Sequence, residues 1–262
     1  MLRLVVTLAL ALLPSLGLAQ KPELMNAGKL TWGSSITFPP FEYEDKGKPA
    51  GFDVDLADAL ANKMGLQPVL TPIEFKGLIP ALLGKRIDIV ISGMYINPQR
   101  LEVADFVPYL LVGNQIVVRP GNPKHIESVA TLCGLRVASP VGTVFEASAN
   151  QASASCKSQG KPDVTVLSLP GTTNCALALN QDRADAIIVS TGTLAALLHE
   201  TPGGYAAGGA PFDTDTKLGI AVRKDDPGLK AALEKAMQAI VADGTYAGLI
   251  RKWNLPAASS AF

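Results

Sequence analysis

Short apolar runs alternate along this chain with stretches in which apolar residues recur every three or four positions, the two periods that separate strands from amphipathic helices. Residues 29–35 read as a strand. In residues 51–64 the positions Phe52, Leu56, Ala57, Leu60, Ala61 and Met64 form one helical stripe, with Asp53 as the expected N-cap. Residues 69–74 are the next strand, residues 78–83 a helix stopped by Gly84, and residues 87–91 a nearly continuous apolar run of the kind needed by a strand covered on both faces. The order is β-α-β. A second series opens after Arg119-Pro120-Gly121-Asn122-Pro123: a strand at 135–138, a helix from Thr143, a strand at 164–167, a helix running through Leu179 and a strand at 186–189. Residues 217–222 form a further strand. Asp226-Pro227 then begins a helix with Leu229, Ala232, Leu233, Ala236, Met237 and Ile240 on one face, closed by Gly244. Two similar α/β halves are predicted.

The first segment departs from this rhythm. Residues 1–19 carry one positive charge at Arg3, an apolar run at 4–13, and small residues at Gly17 and Ala19 before Gln20. This is the pattern of a cleavable secretory signal with its cleavage site near Ala19, so a soluble periplasmic protein is expected. Pro14, Ser15 and Gly17 interrupt the run that a membrane span of ~20 apolar residues would need. The chain has 262 residues, 48% hydrophobic and 18% charged, which is enough for a packed core. Formal net charge is zero, with basic residues dispersed, so neither nucleic acid nor an anionic membrane surface is an expected partner.

Export permits disulfides, and three cysteines are present: Cys133, Cys156 and Cys175. One bridge and one free thiol is the natural count. Cys133 and Cys156, both placed near solvent, are the favoured pair, leaving Cys175 as a small buried hydrophobe. These cysteines and the distant His125 and His199 do not make a zinc set, and no metal or cofactor is expected.

The segments Phe38-Pro39-Pro40-Phe41-Glu42-Tyr43 and Gly51-Phe52-Asp53-Val54-Asp55-Leu56 resemble the opening of the amino-acid-type (family 3) extracellular solute-binding proteins of ABC importers. Phe75 to Leu82, Asp88 to Met94, Pro98-Gln99-Arg100, and the ending Gly244-Thr245-Tyr246 with Lys252-Trp253 keep that family's order and spacing. The resemblance implies a two-lobed α/β clamshell of the periplasmic-binding-protein type II kind. Lobe 1 would comprise residues 20–116 plus 219–262, and lobe 2 residues 117–218. Two hinge crossings would join them, and the ligand would lie in the cleft between. Its implied function is to capture an amino acid or related small carboxylate and deliver it, as a monomer, to an importer's membrane permease.

Ligands of open α/β sheets bind beyond the carboxyl ends of strands, which singles out the loops beginning at Ser35, Ser92 and Ser190. Arg100 is the first candidate, because a planar guanidinium grips a carboxylate through two parallel charge-assisted hydrogen bonds. Asn97 and Pro98 read as the cap and first residue of its helix; the alternative for Arg100 is a surface pair with Glu102. Thr143, at the start of a helix across the cleft, is placed to meet the same carboxylate. By resemblance, Phe38 and Phe75 sandwich the ligand's apolar part, while Ser92 and Gly93 offer backbone groups. Tyr95 stands where the family often has a small Ser or Thr and should reshape the pocket. Ser190 stands where many relatives carry an Asp that pairs with the ligand's α-ammonium, and Ser35 does not replace that charge. Carboxylates with a neutral, substituted or differently placed nitrogen therefore stand beside standard amino acids as ligands. Two rivals remain: a dehydratase-like enzyme of this fold, for which Glu146 is the one available acid-base candidate, and a ligand-presenting sensor.

Overall fold

The computed structural model describes residues 22–262; the segment read as a secretory signal and its cleavage site at Ala19 lie outside the described residues. The first lobe begins with β1 (Lys29–Ser34), a small antiparallel flap of β2 (Thr37–Phe38), β3 (Glu42–Asp45) and β4 (Lys48–Ala50), then α1 (Phe52–Met64), β5 (Gln67–Pro72), α2 (Leu78–Leu83), β6 (Ile89–Val90) and α3 (Pro98–Val103). A long strand, β7 (Ala104–Val118), leads into the second lobe of β8 (Arg136–Pro140), α4 (Val144–Ser158), β9 (Thr165–Leu169), α5 (Thr172–Asn180), β10 (Ala186–Ser190), α6 (Thr191–Glu200) and β11 (Ala206–Ala207). The chain returns along β12 (Phe212–Arg223) and ends in α7 (Pro227–Ala242) and α8 (Thr245–Lys252).

Each lobe is a βαβ unit. β1 pairs in parallel with β5 and β6, and β8 pairs in parallel with β9 and β10. The halves meet along β7 and β12, which run antiparallel to one another. The end of β12 pairs with β6 and with the start of β7, whereas the end of β7 pairs with β10. These two strands are therefore the crossings, and a bulge interrupts their register between Leu218 and Gly219. Space is tight there: a Cβ on Gly219 would stand 2.7 Å from the Ile96 side chain.

The C-terminal helices return to the first lobe. The Tyr246 hydroxyl donates to the Tyr109 carbonyl at 2.6 Å and the Trp253 indole to Asp55 at 2.6 Å. Cys133 and Cys156 form a disulfide that ties the approach to β8 to the end of α4. Cys156 is buried rather than near solvent, because it lies on the α4 face turned to the core. Cys175 is free and fully buried on α5, where burial pushes its thiol up to about 12.

Two local expectations are corrected. Asp53 does not cap α1: Gly51 holds the cap position without a side-chain bond, and the Asp53 carboxylate turns inward to accept from the Gly93 amide at 2.6 Å and the Tyr109 hydroxyl at 3.0 Å. Two donors inside the lobe outcompete the local cap. The apolar run 87–91 is buried, but only Ile89–Val90 pairs as strand. Among the described residues no helix is long and apolar enough to cross a membrane.

Candidate functional site

The strands of both lobes end at a common cleft with a cavity of about 20 Å³. From the first lobe its walls take Ser35 and Thr37 after β1, Phe38, Phe75, Gly93 after β6, Tyr95 and Arg100. From the second they take Pro140 and Thr143 after β8, Val144 and Phe145 in the first turn of α4, and Thr172 at the start of α5.

Arg100 is held by its own helix. Asn97 caps α3 by accepting from the Arg100 amide at 2.9 Å, and Pro98 occupies the first turn, where its missing N–H costs nothing. The guanidinium donates to the Tyr95 carbonyl at 2.7 Å, reaches the Gly142 carbonyl of the other lobe at 3.4 Å, and lies 5.2 Å from the centre of the Phe75 ring. Desolvation lowers its pKa to about 10, so it remains a cation at neutral pH. It makes no ion pair with Glu102 or any other carboxylate among the described residues; only carbonyl oxygens and a ring face meet it. The opposite wall adds positive potential. Thr143 caps the 15-residue α4, accepting from the Glu146 amide at 3.3 Å and donating to the Pro140 carbonyl at 2.7 Å, so the amide end of that helix opens on the same cleft.

Aromatic rings line the rest. Phe38 lies 5.9 Å and Tyr95 5.4 Å from the Phe145 ring, both edge-to-face. The Tyr95 hydroxyl donates to Asn114 on β7 at 3.0 Å, and Asn114 in turn donates to Asp213 on β12 at 3.3 Å, so this wall is tied to both crossings. Burial, with the nearby charge of Asp213, pushes the Tyr95 phenol above its ordinary range. Gly93 adopts a φ of 47°, and a Cβ there would lie 2.5 Å from the Phe38 ring, so glycine is required for backbone and ring to meet.

The three serines take different places. Ser35 lines the cleft. Ser92 is fully buried behind it, accepting from the Ser35 amide at 3.0 Å and donating to Glu42 at 2.7 Å. Ser190 does not line the cleft: it caps α6, accepting from the Thr193 amide at 3.0 Å, while the Thr193 hydroxyl crosses to the Pro39 carbonyl at 2.9 Å. Glu146 also lies outside the lining. Its oxygens accept from the Gly142 amide at 2.8 Å and from the Ser168 hydroxyl.

Sequence reasoning did not identify Thr37, Pro140, Val144, Phe145 and Thr172 as wall residues. Two of them carry a readable signal: Phe145 follows Thr143 in the first turn of a helix entered from a strand end, and Thr172 stands in the same relation to β9. It also missed a buried acid pair behind the Ser35 wall. Glu42 accepts from Ser92 and, at 3.3 Å, from the Ser35 hydroxyl, whereas Asp53 accepts from Gly93 and Tyr109. Both are fully buried, and each has one oxygen with no other donor. Burial first, then the neighbouring carboxylate, raises Glu42 well above the usual range; burial also raises Asp53, against the bonds from Gly93, Tyr109 and Glu42. Burial of two neighbouring acids favours keeping a proton on the pair.

Residues 30–256 match the sequence profile of the bacterial extracellular solute-binding proteins, family 3. The L-cystine-binding protein TcyJ of Escherichia coli (strain K12) is 32% identical over 233 residues, covering 88% of this chain and 84% of TcyJ. Among solved structures, an ancestral arginine-binding protein bound to arginine superposes with a TM-score of 0.79 at 35% identity, covering 86% of this chain and 98% of that one. The ancestral amino acid-binding protein AncCDT-1, a precursor of cyclohexadienyl dehydratase, superposes with a TM-score of 0.75 at 32% identity, covering 86% and 95%.

Proposed function

The chain belongs to the bacterial extracellular solute-binding proteins of family 3, and from that membership we propose that it captures an amino acid or related small carboxylate in the periplasm and delivers it unchanged to the permease of an ABC importer. The observation that carries this reading is Arg100, a desolvated cation facing a cleft without a carboxylate partner. A ligand carboxylate would supply the missing anion through two parallel bonds, with the amide end of α4 approaching from the other lobe. The aromatic walls would then cover the ligand's apolar part. Because the walls come from both lobes, contacts are complete only when the lobes meet. The ligand thereby draws the protein toward the closed form that an importer can distinguish. One copy supplies both walls, so a monomer is a complete binding unit.

Binding without turnover is supported by the engagement of Glu146, whose oxygens hold a loop amide and a serine hydroxyl outside the cleft lining. His199 lies on an outer groove with Trp253, away from the cleft. Mass spectrometry of a bound ligand before and after long incubation should return the same mass; a dehydrated product would reject this part of the reading.

Thermal-shift and calorimetric screening of amino acids, N-substituted derivatives and simple carboxylates should find a stabilising ligand, with carboxylate-free analogues silent. Arg100→Ala should weaken that ligand by about 2–5 kcal/mol, the usual effect of removing one partner of a buried charge pair. Equal affinity in wild type and variant would remove Arg100 from the site.

A further inference from the structure

We infer that the preferred ligand is a monoanion: a carboxylate whose remaining atoms carry no free ammonium or other cationic group. This rests on the reading of Arg100 as carboxylate anchor and narrows the chemistry of the same cleft. Among the described residues, Arg100 is the one charged side chain in the lining. A single ligand carboxylate neutralises it, and the amide end of α4 adds further positive potential. A zwitterion would leave one positive charge in a closed, largely aromatic cleft that has no carboxylate in its lining among the described residues.

The hydroxyl groups of the lining do not supply that anion. Thr143 spends its proton on the Pro140 carbonyl, Tyr95 on Asn114 and Ser35 on Glu42, so what they turn toward a ligand is lone pairs. Lone pairs of neutral hydroxyls suit the N–H of an amide or the hydroxyl of a hydroxy acid. They do not offset a full charge.

The carboxyls around the cleft are Glu42 and Asp53 behind the Ser35 and Gly93 wall, Glu146 on the Gly142 amide and Asp213 on Asn114; each is engaged by protein donors, and none of the four lines the cleft. Asp53 receives the Gly93 amide and the Tyr109 hydroxyl, Glu42 receives Ser92 and Ser35, and burial favours a proton on the pair. The pair therefore presents the cleft with the neutral hydroxyl of Ser35 and the backbone of Gly93. Ser190 contributes nothing ionic either, since its hydroxyl is committed to the start of α6.

The test is calorimetric titration of wild-type protein at neutral pH with matched triplets that share a side chain: the free L-amino acid, its N-acetyl derivative and the deaminated acid, for leucine, phenylalanine and glutamine. In every triplet that binds, the N-acetyl or deaminated member is expected to bind about 10-fold more tightly than the zwitterion, or tighter still. A free amino acid that binds as well as or better than both partners overturns the inference while leaving the carboxylate anchor standing. A different pattern marks failure of the anchor itself: no triplet binds, or Arg100→Ala binds a triplet as tightly as wild type. Either result takes the inference down with the anchor.

Discussion

Two carboxyl groups buried side by side cannot both ionise cheaply, and Glu42 with Asp53 meets that situation by keeping a proton. The groups facing the pair are the Ser35 and Ser92 hydroxyls, the Gly93 amide and the Tyr109 hydroxyl. All four are uncharged at neutral pH, so no cation pulls either acid back to its ordinary range. The consequence for stability runs opposite to that of a salt-bridged aspartate. A carboxyl whose pKa is raised on folding holds a proton that the unfolded chain releases above about pH 4. Its contribution is complete below that point and is lost as pH rises through the folded value, which for Asp53 is about 6. Wild type should therefore gain stability relative to Glu42→Gln on going from about pH 8 to about pH 5, by on the order of 2 kcal/mol, read from urea unfolding at each pH. Parallel pH profiles for the two proteins would show that the pair does not bind an extra proton on folding. Nothing local in the sequence exposes this pair. Asp53 stands at a helix start, where an acidic residue already has a sufficient reason, and Glu42 lies between two aromatics on a two-residue period that would turn it toward the same side as Pro40. Only the tertiary approach of Gly93 and Tyr109 makes them partners. The placement of Arg100 in the first turn of α3 was legible because Asn97 and Pro98 fix that turn locally, whereas its choice as carboxylate anchor came from the resemblance to the family.

Elements governed by neighbouring residues could be read, whereas those governed by distant pairing could not. The Asp226-Pro227 start of α7 is an instance of the first kind: Asp226 accepts from the Leu229 amide at 2.9 Å, as a cap should. Its second role is hidden from the sequence. The same buried carboxylate accepts from the Glu23 amide and pairs at 3.3 Å with Arg223, which is itself 3% exposed and also donates to the Ile87 carbonyl. Asp226→Ala would remove a cap and take the buried carboxylate from a buried guanidinium, leaving it only the exposed Asp225 at 3.8 Å. The expected loss is about 3–5 kcal/mol of unfolding free energy, measured by denaturant titration. Asp226→Asn, which keeps an acceptor but not the charge, should lose less. If both variants stay within about 0.5 kcal/mol of wild type, α7 does not depend on this contact. Strand β7 is an instance of the second kind. Its 15 residues include Pro108 and Gly113, which read as breaks in a linear scan. The strand persists because β12 runs antiparallel beside it, with irregular register near Gly219. The flap of β2, β3 and β4 went unread for a similar reason: strands of two to four residues carry too few positions to show a period.

At the scale of the whole molecule, the repeat of βαβ units announces two lobes, but the sequence carries no mark of which surfaces meet when they close. That contact is visible only between elements far apart in the chain: Arg100 reaching Gly142, Thr193 reaching Pro39, and Gly171 lying against Thr37. The last pair allows closure to be tested without touching the Arg100 anchor. Gly171 has an extended backbone with φ −159°, which any residue can adopt, so alanine there carries no conformational strain of its own. An added Cβ would nevertheless sit 2.5 Å from the Thr37 Cβ and 2.7 Å from its hydroxyl oxygen, atoms too near the backbone to swing aside. The clash exists only when the second lobe lies against the flap of the first, so it should penalise the closed form and spare each lobe's own packing. Affinity depends on the closed form being reachable. Gly171→Ala should therefore bind the wild-type ligand about 10-fold more weakly, about 1.4 kcal/mol, while melting at an unchanged temperature without ligand. Small-angle scattering should show the ligand-saturated variant as more extended than ligand-saturated wild type. Thr37→Gly in the same chain removes the opposing Cβ and should restore much of the lost affinity, a rescue that general damage to the second lobe would not permit. Unchanged affinity in Gly171→Ala would mean that the lobes grip their ligand without bringing Thr37 and Gly171 together.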